Sequence, residues 1–403
     1  MKRILSCLLL ALPLMLCQAQ KRIYIPEDLR GMNLENDTSK WCWKRSAETR
    51  DLIFMWERGF GNDLQNPPQL EGKPMALNLS VLMERVQSFY TFFRDSLGWG
   101  NGPASKAERY KMMVMVMYSL DGTAYGGTYD NMIGGLWVAP NRIQDKTMNC
   151  MAHELGHSFQ AQIMADSIGQ CWGGTGFFEM TSQWMLWQVN PWWLRDENYH
   201  FEAFKTLTHK AYLAMENIYH SPYVIQWWSD LHGRKSIAEL FRQGRIGETP
   251  VTTYQRMYGL SQHQFCEELF RGYQHLVNFD FKHARQQTRP YACTFDSPLE
   301  PAGKGWLKPK DMPESYGFNA IKLDERVNLQ ASAFKLQLKG KGVLYGFVGV
   351  TTDGESIYSP IGANTFRCPK NKRLAHLYLV VMGAPDTYHE DGSFPYSFRV
   401  TAK

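Results

Sequence analysis

The 403-residue chain holds few cysteines, 8 in all, and no two of them form a C-x-x-C pair. That excludes a cysteine-built zinc finger. It also leaves too few bridges for a disulfide scaffold to carry the fold. No basic run is long enough to follow a nucleic-acid backbone, and the formal net charge is only +5. No nucleic-acid partner is therefore expected. Past residue 20 no apolar run approaches the ~20 residues that a helix needs to cross a bilayer, so no transmembrane segment is expected. No internal repeat is present, which excludes solenoids and propellers.

Hydrophobic residues make up 44% of the chain and aromatics 14%. This is enough apolar material for a sizeable core and more aromatic content than a disordered chain carries. It also suits grooves that grip extended polymers. The first 19 residues, MKRILSCLLLALPLMLCQA, have a basic start, an apolar run and small residues near the end. They read as a secretory signal peptide cut after Ala19. Loss of Lys2 and Arg3 lowers the formal charge from +5 to +3. A lipid tether at Cys17 is the rival reading; Leu16 weighs against it, because such sites take a small residue there. The mature chain is expected outside the cytoplasm, in the periplasm, at the cell surface or in the medium. Cys42, Cys150, Cys171, Cys266, Cys293 and Cys368 remain after cleavage. Cys150–Cys171 and Cys293–Cys368 are open as pairs, since spacing does not fix connectivity.

Coarse patterning predicts a mixed α+β protein. TRDLIFMW (49–56) reads as a strand, 77–98 as an amphipathic helix and RYKMMVMVMYSL (109–120) as a strand. AYGGTYDNMIGG reads as a glycine-rich loop, followed by a short strand, LWVAP, at 136–140. A helix is expected over about 146–166, with Asp145 or Thr147 near its N-cap, and a second over about 177–189. Residues 200–280 stay helical in pattern. The Pro- and Gly-rich stretch 297–317 reads as a linker or crossover between a domain at 20–296 and a β-sandwich at 318–403.

The chemistry concentrates in CMAHELGHSFQ (150–160). His153 and His157 stand four apart, so on a helix they share a face with Cβ atoms about 5–6 Å apart and can bind one metal ion together. Glu154, rotated by one residue, cannot join them easily, but it can reach a water held beside that ion. This is the arrangement of a water-activating general base. Catalytic zinc needs a third protein ligand. Asp166 lies nine residues past His157, about 13 Å along the axis, and cannot fold back. Glu179 is the only carboxylate in FFEMTSQWMLW, on the next predicted helix. A carboxylate there is costly to bury unless a metal or a cation satisfies it.

On His153, Glu154, His157 and Glu179 the chain resembles the gluzincins, zinc metallopeptidases whose H-E-x-x-H helix is followed by a glutamate ligand on the next helix. The spacing is similar to that of the enhancin-like group, among others, and the core order looks like that of thermolysin-like enzymes. The whole chain also resembles an uncharacterised family of secreted bacterial proteins with that helix and a C-terminal β-domain. The resemblance implies a zincin-like mixed-sheet upper lobe and a helical lower lobe, with the sandwich following. It implies Zn2+ on His153, His157 and Glu179, with Glu154 as base. It also makes LWVAP the edge strand along which an extended peptide or glycoprotein substrate pairs. Thermolysin-like enzymes carry an aspartate four residues after the ligand glutamate; here that position is Gln183, so the support of the histidine must differ. For the oxyanion donor, Tyr199, His200, His209, Tyr219, His220 and Tyr223 stand as candidates. Two other readings stay open: a surface protein that binds glycan or protein without catalysis, and a zinc amidase acting on a non-protein amide.

Overall fold

A computed structural model describes residues 20–169, Trp172 and 176–403. The segment 1–19 expected to be a signal peptide, with Cys17, and Cys171 lie outside the described residues. We number strands in chain order and helices of nine residues or more likewise. The first layer is a five-stranded sheet of β1 Ser46–Glu48, β2 Leu52–Trp56, β3 Met112–Val116, β4 Ala124–Tyr129 and β5 Ile133–Val138. Its order is β1-β2-β3-β5-β4. β2, β3 and β5 are parallel, while β1 and β4 run antiparallel at the two edges. LIFMW and MMVMV are buried at every position, as unbroken apolar runs are when a sheet is covered on both faces.

Helices α1 Leu79–Thr91 and α2 Asn149–Ala165 share one face of this sheet. Phe159 of α2 meets Tyr90 of α1 at 5.0 Å between ring centres. The Ser158 hydroxyl donates to the Gly135 carbonyl (2.8 Å), and the Gly134 amide donates to Gln162 (2.8 Å). These bonds fix α2 across the end of β5. Helix α3, Gly176–Val189, packs on α2 and is apolar on nearly all sides, so it is buried. Then follow α4 Asn198–Leu207, α5 Tyr223–His232, α6 Lys235–Gln243, α7 Pro250–Tyr258 and α8 Gln262–Val277.

The remainder folds as two facing sheets. The inner one has the order β11-β10-β13-β8 and the outer one β12-β9-β14-β7-β6. Their strands are β6 Leu299–Pro301, β7 Leu307–Pro309, β8 Phe318–Lys322, β9 Ala333–Gly340, β10 Val343–Thr351, β11 Ser356–Tyr358, β12 Thr365–Arg367, β13 Leu374–Gly383 and β14 Tyr396–Ala402. Phe334, Phe347, Phe366 and Phe398 fill the space between the sheets. The other face of the inner sheet packs on α8: Tyr273 stacks on Phe318 at 4.0 Å, and Gln274 donates to the Phe347 carbonyl at 3.2 Å.

Three expectations need correction. AYGGTY is a strand and not a loop, and it, not LWVAP, is the sheet edge; Leu136–Val138 lies inside, between β3 and β4. The glycines there serve a close packing contact rather than a turn. The stretch 297–317 is not a bare linker, because β6 and β7 form within it as short hairpin strands of the outer sheet. Cys293 and Cys368 are both free, so that pair does not form.

Candidate metal centre

Helix α2 begins at Asn149, where Asp145 accepts from the backbone amides of Thr147 (2.6 Å) and Met148 (3.0 Å) and turns the chain into the helix. Two glycines then allow backbones to approach. A Cβ on Gly126 of β4 would lie 1.9 Å from the Glu154 carbonyl and 2.9 Å from the His157 Cβ. A Cβ on Gly156, within HELGH itself, would lie 2.8 Å from the Ser182 hydroxyl of α3. The motif turn of α2 is thus clasped between an edge strand and a second helix.

Three donor atoms converge there. His153 Nε2 lies 3.0 Å from Glu179 Oε2, His157 Nε2 lies 3.1 Å from the same oxygen, and the two Nε2 atoms are 3.0 Å apart. His153, His157 and Glu179 form the one such group among the described residues. An ion with tetrahedral bonds of about 2.0–2.1 Å separates its ligand atoms by roughly 3.3 Å. The observed triangle is slightly tighter than that, and its two imidazoles and one carboxylate are a donor set that zinc takes. Asp166 is elsewhere, receiving hydrogen bonds from Asn101, Ser105 and the Lys106 amide.

The far side of each ring is held. Gln183 Oε1 accepts from His153 Nδ1 at 2.8 Å. His157 Nδ1 meets Gln160 Oε1 at 2.9 Å and the Ser182 hydroxyl at 3.2 Å. In the tautomer that keeps its proton on Nδ1, His153 has its lone pair on Nε2, the nitrogen that a metal ion would take. Gln183 is itself fixed: its amide donates to the Tyr219 carbonyl (3.0 Å) and faces His200 Nε2 at 3.3 Å. Burial, reinforced by the neighbouring His220, pushes His200 down to about 3, so it is neutral and can accept. A neutral amide thus occupies the place where an aspartate would otherwise orient the histidine. We expect Gln183→Met to weaken metal binding by about 10–100-fold while Gln183→Glu retains it. Competition with a chelator measures this, and equal affinity in all three proteins would remove Gln183 from the role.

Burial opposes charge on Glu179, but hydrogen bonds from His153 and His157 outweigh it and hold the carboxyl well below its ordinary range. Burial likewise opposes charge on His157, and its contact with Glu179 outweighs that and raises it. Glu154 is almost buried, and among the described residues its carboxylate has no hydrogen-bond partner.

The oxyanion candidates separate by position. The Tyr219 ring centre lies 6.1 Å from that of His153. Burial and the adjacent Glu179 carboxylate push its hydroxyl up to about 12, so it keeps its proton. His200 and His220 bond each other at 2.7 Å behind Gln183. Tyr223 is wholly buried against Trp187, and Tyr199 lies on the outer side of His200. His209 receives backbone bonds from the strand side, at Glu314. Gln183, Gln160 and Ser182 went unnoticed as supports. The available signal was a polar residue three or four positions after Glu179 (Ser182, Gln183) and three after His157 (Gln160).

The chain belongs to a family of unknown function, DUF6055, whose profile matches residues 16–402. A search of curated proteins finds no match. Among solved structures the chain is similar to the ZmpB metallopeptidase from Clostridium perfringens, with 13% identity and a TM-score of 0.35, over 85% of this chain and 67% of that one. It is also similar to a metallopeptidase in complex with Tn antigen, with 11% identity and a TM-score of 0.34, over 91% and 75%. Scores of this size carry no inference about chemistry.

Proposed function

We propose that this member of DUF6055 is an exported zinc metallopeptidase that cleaves protein or glycoprotein chains. One observation carries the reading. Three zinc-type donor atoms lie within 3.1 Å of one another, beside a glutamate whose carboxylate has no other partner among the described residues. His153, His157 and Glu179 would hold the ion. When bound, zinc supplies Lewis-acid polarisation of the scissile carbonyl and acidifies water at the same place.

The rest falls to side chains of the protein. Glu154 accepts a proton from the attacking water as its oxygen bonds to the carbonyl carbon. As the C–N bond breaks, Glu154 returns that proton to the leaving amine. Tyr219, protonated at neutral pH, is the donor placed to stabilise the developing oxyanion. The free edge of β4 passes over the motif turn at Gly126, where an extended chain can add as a further strand.

Four aromatics are exposed among the described residues: Tyr125, Trp192, Tyr199 and Tyr219. All border this site. Tyr125 is on β4, Tyr219 is beside His153, Tyr199 stacks on His200, and Trp192 follows Asn190, which bonds Asn149 at the start of α2. Such a rim offers flat faces to side chains or sugars. Elemental analysis tests the reading most directly. The wild type should carry about one zinc per chain, and His153→Ala and His157→Ala should carry almost none. A metal-free wild type after zinc loading would favour the binding-protein reading instead.

A further inference from the structure

Charge on the sandwich is segregated by face. The strands of the outer sheet carry five basic residues, Lys308, Lys335, Lys339, Arg367 and Arg399, and a single acid, Glu300. Glu300 sits at the edge and pairs with Lys308 at 3.4 Å. Lys335, Lys339 and Arg367 are exposed and have no ion pair among the described residues. Among the described residues, Arg399 hydrogen-bonds the neutral side chain of Gln337, at 3.0 Å, and makes no ion pair. Alternation puts these residues on the side away from Phe334, Leu336 and Phe398, which face the sandwich core. Helix α8 packs on the inner sheet, on the opposite side of the sandwich from this face.

We infer that this outward sheet face is a docking surface for an acidic polysaccharide. Lys335 and Lys339 lie about 13–14 Å apart along β9. Arg399, opposite Gln337, is a diagonal neighbour of Lys339, and Arg367 one of Lys335, at about 7–8 Å. Unpaired cations repeated at that spacing match a chain bearing carboxylates or sulfates on successive sugars. Between them stand Gln337, Thr365, Ser397 and Thr401, neutral groups that can bond sugar hydroxyls.

The other anionic partners fit less well. No large apolar side chain is exposed on the sandwich among the described residues, so a membrane would find nothing to insert. The aromatic on this face, Trp306, has the Lys339 ammonium 4.2 Å and the Arg399 guanidinium 5.7 Å from its ring centre. Its ring is committed to those cations and is not open to nucleic-acid bases. The surface is independent of the zinc reading.

The test uses the full mature chain at physiological salt. Binding is measured to heparin and to polygalacturonate, with dextran, single-stranded DNA and vesicles rich in anionic lipid alongside. Binding to both acidic polysaccharides and none to dextran is expected. Combined Lys335→Glu, Lys339→Glu and Arg367→Glu should weaken it by on the order of tenfold or more, with the thermal transition unchanged. Reversal of three exposed bases elsewhere, Lys73, Lys235 and Arg245, should change it far less. Equal loss in the two triple variants would reduce the effect to net charge and overturn the proposal. So would equal retention on dextran, or tighter binding to DNA or vesicles. The single change Lys335→Gln, at an exposed position, repeats the comparison should the triple variant fold poorly.

Discussion

Glu154→Gln should keep its full zinc content and lose hydrolytic activity by a factor on the order of 10²–10⁴. The substitution preserves the size of the side chain and its place on α2. Glu154 makes no side-chain hydrogen bond among the described residues, so no partner is left stranded by the change. The three donor atoms belong to other residues, and metal content should stay level. What disappears is the basic lone pair that takes a proton from water and returns it to the amine. Proteins and glycoproteins in unfolded form are the substrates to compare, with zinc measured in the same samples. Near-wild-type cleavage at equal zinc would leave Glu154 without its assigned role. Loss of zinc together with activity would instead make it a ligand.

A chain ending at residue 295 should fail to fold cooperatively, which is a stronger outcome than the domain-like sequence pattern implies. Phe318, Ala320, Val348, Val350, Tyr378, Val380 and Met382 belong to the same apolar core as α8 and the layers around the candidate metal centre. Loss of residues beyond 295 uncovers Phe265, Phe270 and Tyr273 of α8, now buried beside Tyr316, Gly346 and Phe318. Full burial of one large apolar side chain is worth about 1.5–3 kcal/mol. Several of them together rival the about 5–15 kcal/mol that holds a whole domain folded. Circular dichroism and a melting curve decide the matter. A sharp transition in the shortened chain would show the sandwich to be an independent attachment.

The legibility of the sequence followed the range of its interactions. Spacing alone put His153 and His157 on one helical face, because that periodicity is local. Glu179 was legible as a lone carboxylate in an apolar helix, since its burial demands a partner. Gln183 was noticed only as the missing aspartate; its bond to His153 depends on how two helices lie against each other. β4 was misread because glycine is a poor strand former by propensity, whereas Gly126 is required by a helix distant in sequence. The hairpin of β6 and β7 was hidden by the prolines at its strand ends, Pro301 and Pro309, a placement tolerated toward the margin of a sheet. For Gln183 and β4 the deciding neighbour was remote in sequence.

The contact at Gly126 has a mechanical consequence. Side chains repack when a protein drifts, but two backbones pressed together leave nothing to repack. The outermost strand and the motif turn therefore act as a fixed gauge. On the proposed function, a chain laid along that strand would meet the glutamate at one offset, whatever its own residues are. Exposed aromatics such as Tyr125 and Tyr199 press on no such contact and are free to change. If the proposed function holds, the gauge beneath them would keep the point of attack where it is, and evolution could retune taste without resetting the blade.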